Sequence, residues 1–333
     1  MSGIPTELVQ VYRSGFHEGS HFGSVVITDR DGSVLHARGD VTGPIFPRSS
    51  SKPFQSVAML SSGAELTGAD LALASASHSG EPMHVDRALA MLARSGVTQD
   101  DLRCPPALPM NESAKFAVLN AGGAVAGAVP PEKLARRIYM NCSGKHSGML
   151  AACVAQGWPI TGYVAAEHPL QRRVAAEITR LTGQAPSAVG IDGCGAPLFA
   201  ISLLALARGF GAVTAAAHGT PERTVADAMR AHPHMVGGTG REDTRLMQAI
   251  PGLLVKGGAE GVHCAALPDG RCVAVKITDG GDRARMPVLV GGLRILGLPT
   301  DDPATALLDE LGTGTVLGGG VPVGTVQLAP GVF

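Results

Sequence analysis

The 333-residue sequence lacks the charge that binding to nucleic acid or to a lipid surface requires. Charged residues make up only 17% of the chain, and the formal net charge is −1. Because both signs are mixed along the sequence, there is no basic face for nucleic acid and no polybasic membrane anchor. Apolar residues account for 45% of the chain, which argues against disorder over most of its length. We therefore expect a globular protein with a small-molecule ligand.

Long hydrophobic runs and clustered cysteines are also missing. No stretch reaches the ~18 uninterrupted apolar residues of a membrane-spanning helix, and residues 1–7 lack the basic and apolar blocks of a signal peptide. The six cysteines are scattered along the chain, which predicts reduced thiols rather than a disulfide framework. From these absences we expect a soluble, cytoplasmic protein.

Strand patterns occur near both ends of the sequence, and helical patterns fill the middle. The predicted strands cover residues 8–13, 24–28, 33–37, 262–267, 271–278 and 324–329. The predicted helices cover residues 53–60, 85–94, 113–119, 131–139, 146–156, 170–181, 198–208, 221–231, 283–296 and 304–311. This order predicts an α+β fold with an antiparallel sheet built from both termini (1–61 and 236–333) and a mainly helical inserted region (62–235). The two parts would be packed closely enough to count as one domain.

The segment 47–52 carries the first candidate for chemistry, because Ser49 and Lys52 are three residues apart across a helix start. Residues at this spacing lie on one face of one turn, so the two side chains can meet. A lysine can activate a serine hydroxyl when its amine is neutral, which requires burial or a second cation nearby. Alone, the pattern also fits a solvated helix start with Ser51 as the N-cap.

Three further stretches hold polar groups that could join this pair. Ser77 either caps a helix or supplies a second hydroxyl, which would relay a proton or hold Lys52. Lys276 lies in an apolar strand; it is inert on an outer face, or its charge favours the neutral amine of Lys52 and attracts an anionic substrate. The polar stretch 17–21 is either a loop or a strand end that brings two imidazoles and Glu18 together.

Two glycine-rich turns each carry a cysteine, Cys142 and Cys194. Two such thiols can converge on a metal ion, with Lys145, His146 or Asp192 nearby to complete the ligand set. A lysine ligand would be unusual, because the amine would have to be neutral. The alternative interpretation is two free thiols near glycine turns.

Taken together, these stretches resemble the asparaginase II family, the serine- and lysine-dependent L-asparaginases. The resemblance runs nearly end to end and is carried by Glu18–His21, Arg48–Pro53, Ala76–Ser79, Asn141–His146, Asp192–Cys194 and Lys276–Gly280. It implies a fold similar to that of the serine β-lactamases and glutaminases. It also implies hydrolysis of L-asparagine to L-aspartate and ammonia by a homodimer.

The resemblance also implies roles for individual residues. Ser49 would be the nucleophile with Lys52 as its base, and Ser77 and Lys276 would form a second serine–lysine pair. A zinc ion near the substrate would be held by three residues, Cys142, Lys145 and Cys194. The residues expected to contact or lie close to the substrate are Arg48, Glu18, His146 and Asp192. The sequence departs from the expected pattern at Gly195-Ala196, which follows Cys194 where a polar residue is expected.

Two other functions remain open at this point. A different serine–lysine amidohydrolase, similar to a glutaminase or a β-lactamase, would share the fold and the nucleophile but use another substrate. A zinc-dependent binding protein would use the Cys142 and Cys194 turns and leave Ser49 idle.

Overall fold

The computed structural model of this protein describes residues 6–298 and 302–333, and an eight-stranded antiparallel sheet lies at its centre. The strands are β1 (Thr6–Arg13), β2 (Phe16–Thr28), β3 (Val34–Arg38), β4 (Pro44–Ile45), β5 (Ala188–Ile191), β6 (Pro197–Ser202), β7 (Leu254–Gly257), β8 (Val262–Ala266), β9 (Cys272–Ile277), β10 (Gly314–Gly318) and β11 (Val321–Leu328). The main sheet has the order β10-β11-β1-β2-β9-β8-β7, and β3 also pairs with β2. A smaller sheet has the order β4-β6-β5.

The long strand β2 joins the two ends of the chain. Its first half pairs with β1, while its second half pairs with β3 and, from the far end of the sequence, with β9. In the β2–β9 register Val25 lies opposite Val275, and both are fully buried. The prediction of an α+β fold with an antiparallel sheet made from both termini is therefore confirmed. The division into two parts at residues 61 and 236 stays a prediction.

Helices fill most of the chain between β3 and β7 and cover the main sheet. They are α1 (Lys52–Ser61), α2 (Gly68–Ala74), α3 (Pro82–Arg94), α4 (Glu112–Ala121), α5 (Ser143–Gln156), α6 (Pro169–Thr182), α7 (Leu203–Ala215), α8 (Pro221–Ala231), α9 (Pro233–Val236), α10 (Glu242–Ala249), α11 (Asp282–Ile295) and α12 (Asp302–Gly312). Within the described residues, no helix is long and apolar enough to cross a bilayer.

The helix α1 is the centre of the helical part. Every residue from Lys52 to Met59 is buried, and α5, α6, α7 and α8 pack around it. A helix that is buried on all sides is expected to be apolar all round rather than along a single stripe. The segment Phe54–Leu60 is mainly apolar, and its two polar side chains, Gln55 and Ser56, make hydrogen bonds inside the protein. The buried helix thus holds its own first residue, Lys52, inside the protein.

Two predicted elements were wrong. The segment 131–139 forms two short 3-10 turns, Pro131–Leu134 and Arg137–Tyr139, rather than one helix. The segment 198–208 divides at Ser202 into β6 and α7, and the Ser202 hydroxyl caps α7 by accepting from Ala205 N. A short, fully buried apolar run has no periodicity that separates strand from helix. Of the two interpretations left open for the polar stretch 17–21, the structure shows the strand, because the stretch is part of β2.

Candidate active site

A strained turn leads into α1 and carries Ser49. Arg48 adopts a φ of 50°, which is uncommon for a residue other than glycine and occurs most often at functional sites. Residues Arg48–Ser51 then form one 3-10 turn, and Ser49 is half-buried within it. The hydroxyl of Ser49 has no hydrogen bond to any described residue. The turn therefore presents an uncommitted hydroxyl at the start of the central helix.

Lys52, the first residue of α1, is 1% exposed and is held by three acceptors. Its Nζ donates to the carbonyl oxygen of Ala76, to Ser77 Oγ at 2.9 Å and to Cys142 Sγ at 3.1 Å. The structure therefore brings together Lys52, Ser77 and Cys142, which are far apart in the sequence. Among the described residues, no hydrogen bond joins Lys52 to Ser49.

We call Lys52, Cys142, Lys145 and Cys194 the thiol–lysine cluster. Lys145 is 2% exposed, and its Nζ lies 3.0 Å from Cys194 Sγ. The hydrogen bond with the Cys142 thiol lowers the pKa of Cys194 far below its usual range. The charge of Lys145 adds to this shift, and burial opposes it. Burial lowers the pKa of Lys145, but the neighbouring sulfurs of Cys194 and Cys142 outweigh this effect and raise the pKa above its usual value. Both shifts are in the directions that favour a hydrogen bond from Lys145 to the Cys194 sulfur.

Asp192 connects this cluster to Arg48. Its Oδ2 lies 3.3 Å from Cys194 Sγ, and its Oδ1 accepts from Arg48 Nε at 2.8 Å. The Cys142 and Cys194 sulfurs and a carboxylate oxygen of Asp192 all lie within 4.8 Å of one another. Two thiols and a carboxylate at this separation are the donors that zinc prefers.

A cleft of about 480 Å³ opens beside Arg48. Its charged lining residues are Arg48, Glu260 and Lys276. Arg48 Nη1 lies 3.5 Å from Glu260 Oε1, and the half-buried Lys276 donates to the carbonyl oxygen of Glu260. The cleft therefore offers both signs of charge within a few ångströms, next to the residue that precedes Ser49.

The remaining predicted site residues lie in different surroundings. His146 is fully buried and contacts the hydroxyl of Tyr163 at 2.7 Å. Burial lowers the pKa of His146 even though Cys194 opposes this shift, so the imidazole is neutral. Glu18 lies at the exposed end of β2 and pairs with Arg13 at 2.8 Å. Among the described residues, no hydrogen bond joins Glu18 to the thiol–lysine cluster.

The serine–lysine pairing differs from the prediction. The resemblance implied that Lys52 meets Ser49 and that Ser77 meets Lys276, while the residues alone also allowed Ser77 to hold Lys52. In the structure Ser77 is instead bonded to Lys52, and the Nζ of Lys276 bonds to the backbone of Glu260. The physical reason is that Lys52 points into the protein from a fully buried helix, whereas Lys276 is half-buried and reaches the cleft.

A third buried lysine, Lys256 in β7, was missed by the sequence analysis. It is 1% exposed, and Nζ lies 3.5 Å from Asp243 Oδ2. Asp243 also accepts from His263 Nε2 at 2.8 Å. We call Asp243, Lys256 and His263 the Asp243 cluster. A lysine in an apolar strand was the available signal, and it is the same signal that singled out Lys276.

The Asp243 cluster lies directly behind the turn that carries Ser49. Ser50 Oγ donates to the carbonyl oxygen of Lys256 at 3.0 Å. A Cβ atom at Gly258 would lie 2.8 Å from the Pro47 carbonyl oxygen, so the end of β7 can approach this turn only because Gly258 has no side chain. Burial lowers the pKa of Lys256 to about 8. The charge of Lys52 adds to this lowering, and the charge of Asp243 opposes it.

Comparison with known proteins identifies one family. The family model described as L-asparaginase II matches residues 9–328, which is nearly the whole chain. Among curated proteins, no sequence matches this one.

Several solved structures resemble the chain at low identity. A protein named Mglu in its native form is 16% identical with a TM-score of 0.35, over 84% of this chain and 66% of that one. Mglu in its tris and glutamate form is 15% identical with a TM-score of 0.33, over 88% and 62%. A protein from Bacteroides dorei DSM 17855, described as a candidate beta-lactamase, is 14% identical with a TM-score of 0.39, over 86% and 93%. The chain thus spans less than two thirds of the length of the Mglu chains. TM-scores this low do not indicate a shared function.

Proposed function

This chain belongs to the L-asparaginase II family, and we propose that it hydrolyses L-asparagine to L-aspartate and ammonia through an acyl-enzyme on Ser49. Family membership supports a hydrolase that acts on amides. The observation that carries the proposal is the bond between the buried Lys52 Nζ and Ser77 Oγ, 2.9 Å long, at the start of the helix that follows Ser49. The homodimer and the cytoplasmic location stay predictions.

The charges of the cleft fit an amino acid as substrate. L-Asparagine carries an α-carboxylate and an α-ammonium, so its site needs a cation and an anion close together. Arg48 and Lys276 would receive the carboxylate, while Asp192 and Glu260 would receive the ammonium. A pocket that bonds both groups rejects analogues lacking them by about 10⁴-fold or more, whereas the extra methylene of glutamine costs only about 1–3 kcal/mol.

In the proposed mechanism, the hydroxyl oxygen of Ser49 attacks the side-chain amide carbon and gives up its proton. Lys52 accepts this proton through Ser77, which requires that Lys52 first give up one of the three protons it donates in the structure. The same proton then returns to the departing nitrogen, which leaves as ammonia. Water hydrolyses the aspartyl ester and restores the Ser49 hydroxyl. The backbone N–H of Ser49, at a helix start, is the first candidate to stabilise the tetrahedral oxyanion.

We also propose that the thiol–lysine cluster holds zinc. The donors that fit the ion are Cys142, Cys194 and the carboxylate of Asp192. Lys145 would join them only after losing the proton that Cys194 now stabilises. A bound zinc ion would supply positive charge that keeps both thiols as thiolates, and it would tune substrate binding through Asp192, the partner of Arg48.

The test is ammonia release from L-asparagine by the wild-type chain and by Ser49→Ala, each with and without chelator. L-Glutamine and a chromogenic β-lactam serve as alternative substrates. We expect turnover of asparagine that Ser49→Ala abolishes. Undiminished turnover in Ser49→Ala would exclude the serine mechanism, preference for glutamine or the β-lactam would identify another amidohydrolase, and zinc-dependent ligand binding without turnover would identify a binding protein.

A further inference from the structure

A second cleft lies where α8 ends and α9 begins, away from the charged cleft beside Arg48. Its volume is about 600 Å³, within the range of small-molecule sites. The polar side chains that line it are Arg87, Arg230, His232, His234 and Gln248. Among the described residues, no Asp or Glu lines this cleft. The cleft is therefore basic, although the protein as a whole is close to neutral.

Arg230 is the unusual member of this lining. Its side chain is 13% exposed, and its buried Nε and Nη2 atoms have no hydrogen-bond partner in the described part of the chain. An Asp227 oxygen lies 3.7 Å from Nη1, beyond hydrogen-bond reach, because both oxygens of that carboxylate accept from Arg223 Nε at 2.8 and 2.9 Å. A buried cation without hydrogen bonds is unfavourable, and burial lowers the pKa of Arg230 accordingly.

The other carboxylate near this cleft is also committed. Asp70 accepts from Arg87 at 2.8 Å through one oxygen and from Arg94 through the other. At the rim, the side-chain amide of Gln248 contacts His234 Nε2 at 2.8 Å. The neighbouring anions are thus already paired, and a guanidinium edge is left without an acceptor.

We propose that this cleft binds a small molecule bearing a carboxylate or a phosphate, whose oxygens accept from the Nε and Nη2 edge of Arg230. These two nitrogens form one side of the planar guanidinium fork, the geometry that matches two oxygens of an oxyanion. Arg230 lines the cleft while its Nε and Nη2 atoms are buried, so the proposal requires the guanidinium to turn towards the bound ligand. Arg87, His232 and His234 line the cleft around the bound group.

A backbone hydrogen bond connects the wall of this cleft to the candidate active site. The helix α9 (Pro233–Val236) forms its wall, and Val236 O accepts from Ser77 N at 3.1 Å. His234 O accepts from His84 Nε2 at 2.8 Å. Because Ser77 bonds to Lys52, a ligand that shifts α9 would change the position of the proposed proton relay. We therefore expect an occupant of this cleft to change the rate of the reaction at Ser49.

Thermal unfolding of the full chain tests the binding site without relying on activity. The wild type, Arg230→Met and the control Arg172→Gln are each melted in inorganic phosphate, in succinate and in sodium chloride at equal ionic strength. Arg172 is an exposed arginine of α6. We expect phosphate, succinate or both to raise the Tm of the wild type and of the control by about 2 °C or more at saturation, and to leave the Tm of Arg230→Met unchanged.

The variant itself gives an internal check. Because Arg230→Met removes a buried cation that has no acceptor, its Tm in chloride should equal or exceed that of the wild type. A shift with phosphate alone assigns a phosphate-bearing ligand, and a shift with succinate alone assigns a carboxylate. Equal shifts in the wild type and Arg230→Met, or no shift with either anion, overturn the proposal. Asparagine turnover measured with and without the active anion then tests the link to Ser77 separately.

Discussion

The molecule buries two neighbouring clusters that contain lysines, and the lysines of the two clusters have different kinds of partner. In the Asp243 cluster, the carboxylate of Asp243 accepts from His263 at 2.8 Å and from the Gly257 N–H at 2.9 Å, and it pairs with Lys256 at 3.5 Å. In the thiol–lysine cluster, the lysines meet sulfur atoms at 3.1 and 3.0 Å. The carboxylate nearest to the thiols, Asp192, is shared with Arg48.

This difference separates a group that fixes the structure from a group that can react. A buried carboxylate with several strong hydrogen bonds is costly to disturb, because each partner left behind is unpaired. A cysteine sulfur can accept from a lysine or bind a metal ion, so a lysine and a metal ion can compete for the same sulfur. We therefore assign a structural role to the Asp243 cluster and a chemical role to the thiol–lysine cluster. Four predictions test this assignment.

The largest expected effect is on turnover. Lys52→Met removes the proposed base and should lower kcat for L-asparagine by about 10²–10⁴-fold, while Tm stays within about 5 °C of the wild type. Steady-state ammonia release and thermal unfolding measure the two quantities. Full activity in Lys52→Met would contradict the chemical role of this cluster and would place the base elsewhere, with Lys276 as the next candidate.

A lysine-to-methionine substitution in the Asp243 cluster should lower stability rather than turnover. Lys256→Met leaves Asp243 buried without its lysine and should lower the free energy of unfolding by about 3–5 kcal/mol. Urea unfolding measures this change. Lys115→Met, at the exposed Lys115–Glu112 pair, is the matched surface control, and removing this pair should cost about 1 kcal/mol or less. A loss of kcat in folded Lys256→Met as large as that in Lys52→Met would remove the distinction between the clusters.

Zinc should stabilise the folded protein only when the thiols of Cys142 and Cys194 are both present. At about a hundred times its Kd, zinc should raise the free energy of unfolding by about 3 kcal/mol, with one ion retained per chain in metal analysis. Cys142→Ser and Cys194→Ser should each abolish this stabilisation, whereas Cys153→Ser, a change at a buried thiol outside the cluster, should keep it. Stabilisation that survives in both cluster variants would place any metal site elsewhere.

The sequence was sufficient for the frame of this fold because its strands follow alternating or β-branched patterns with clear turns. Asp31-Gly32 marked the β2–β3 hairpin, and Asp269-Gly270 marked the β8–β9 hairpin. Pro221 and Thr220 marked the start of α8, where the Thr220 hydroxyl accepts from Arg223 N. Such local signals act within a few residues and do not depend on the rest of the chain.

The candidate site was less accessible because its contacts depend on tertiary packing. Helical spacing placed Ser49 and Lys52 on one face, but the burial of α1 turns Lys52 towards Ser77 and Cys142 instead. Nothing local distinguishes Lys256, which is buried against Asp243, from Lys276, which reaches a cleft. The strand β7 was not predicted, so the lysine within it could not be placed.

The smallest predicted effect is a pH dependence that belongs to Lys256 alone. Burial lowers the pKa of Lys256 to about 8 in the folded protein, against about 10.4 for an unperturbed lysine. Between these values the unfolded chain holds a proton that the folded chain has released, so the contribution of Lys256 to the unfolding free energy rises with pH. Below pH 8 both states are protonated, and above about 10.4 both are neutral, so the contribution is flat outside this window.

The measurement is the unfolding free energy in urea at pH 8, 9 and 10 for the wild type and Lys256→Met. Subtracting the variant removes the titration of the other lysines. The difference should move in favour of the wild type by about 1–3 kcal/mol across the window. Lys133→Met, at an exposed lysine, should run parallel to the wild type. A flat difference for Lys256→Met would mean that Asp243 holds the ammonium throughout, and the Asp243 cluster would then be a stronger ion pair than its burial indicates.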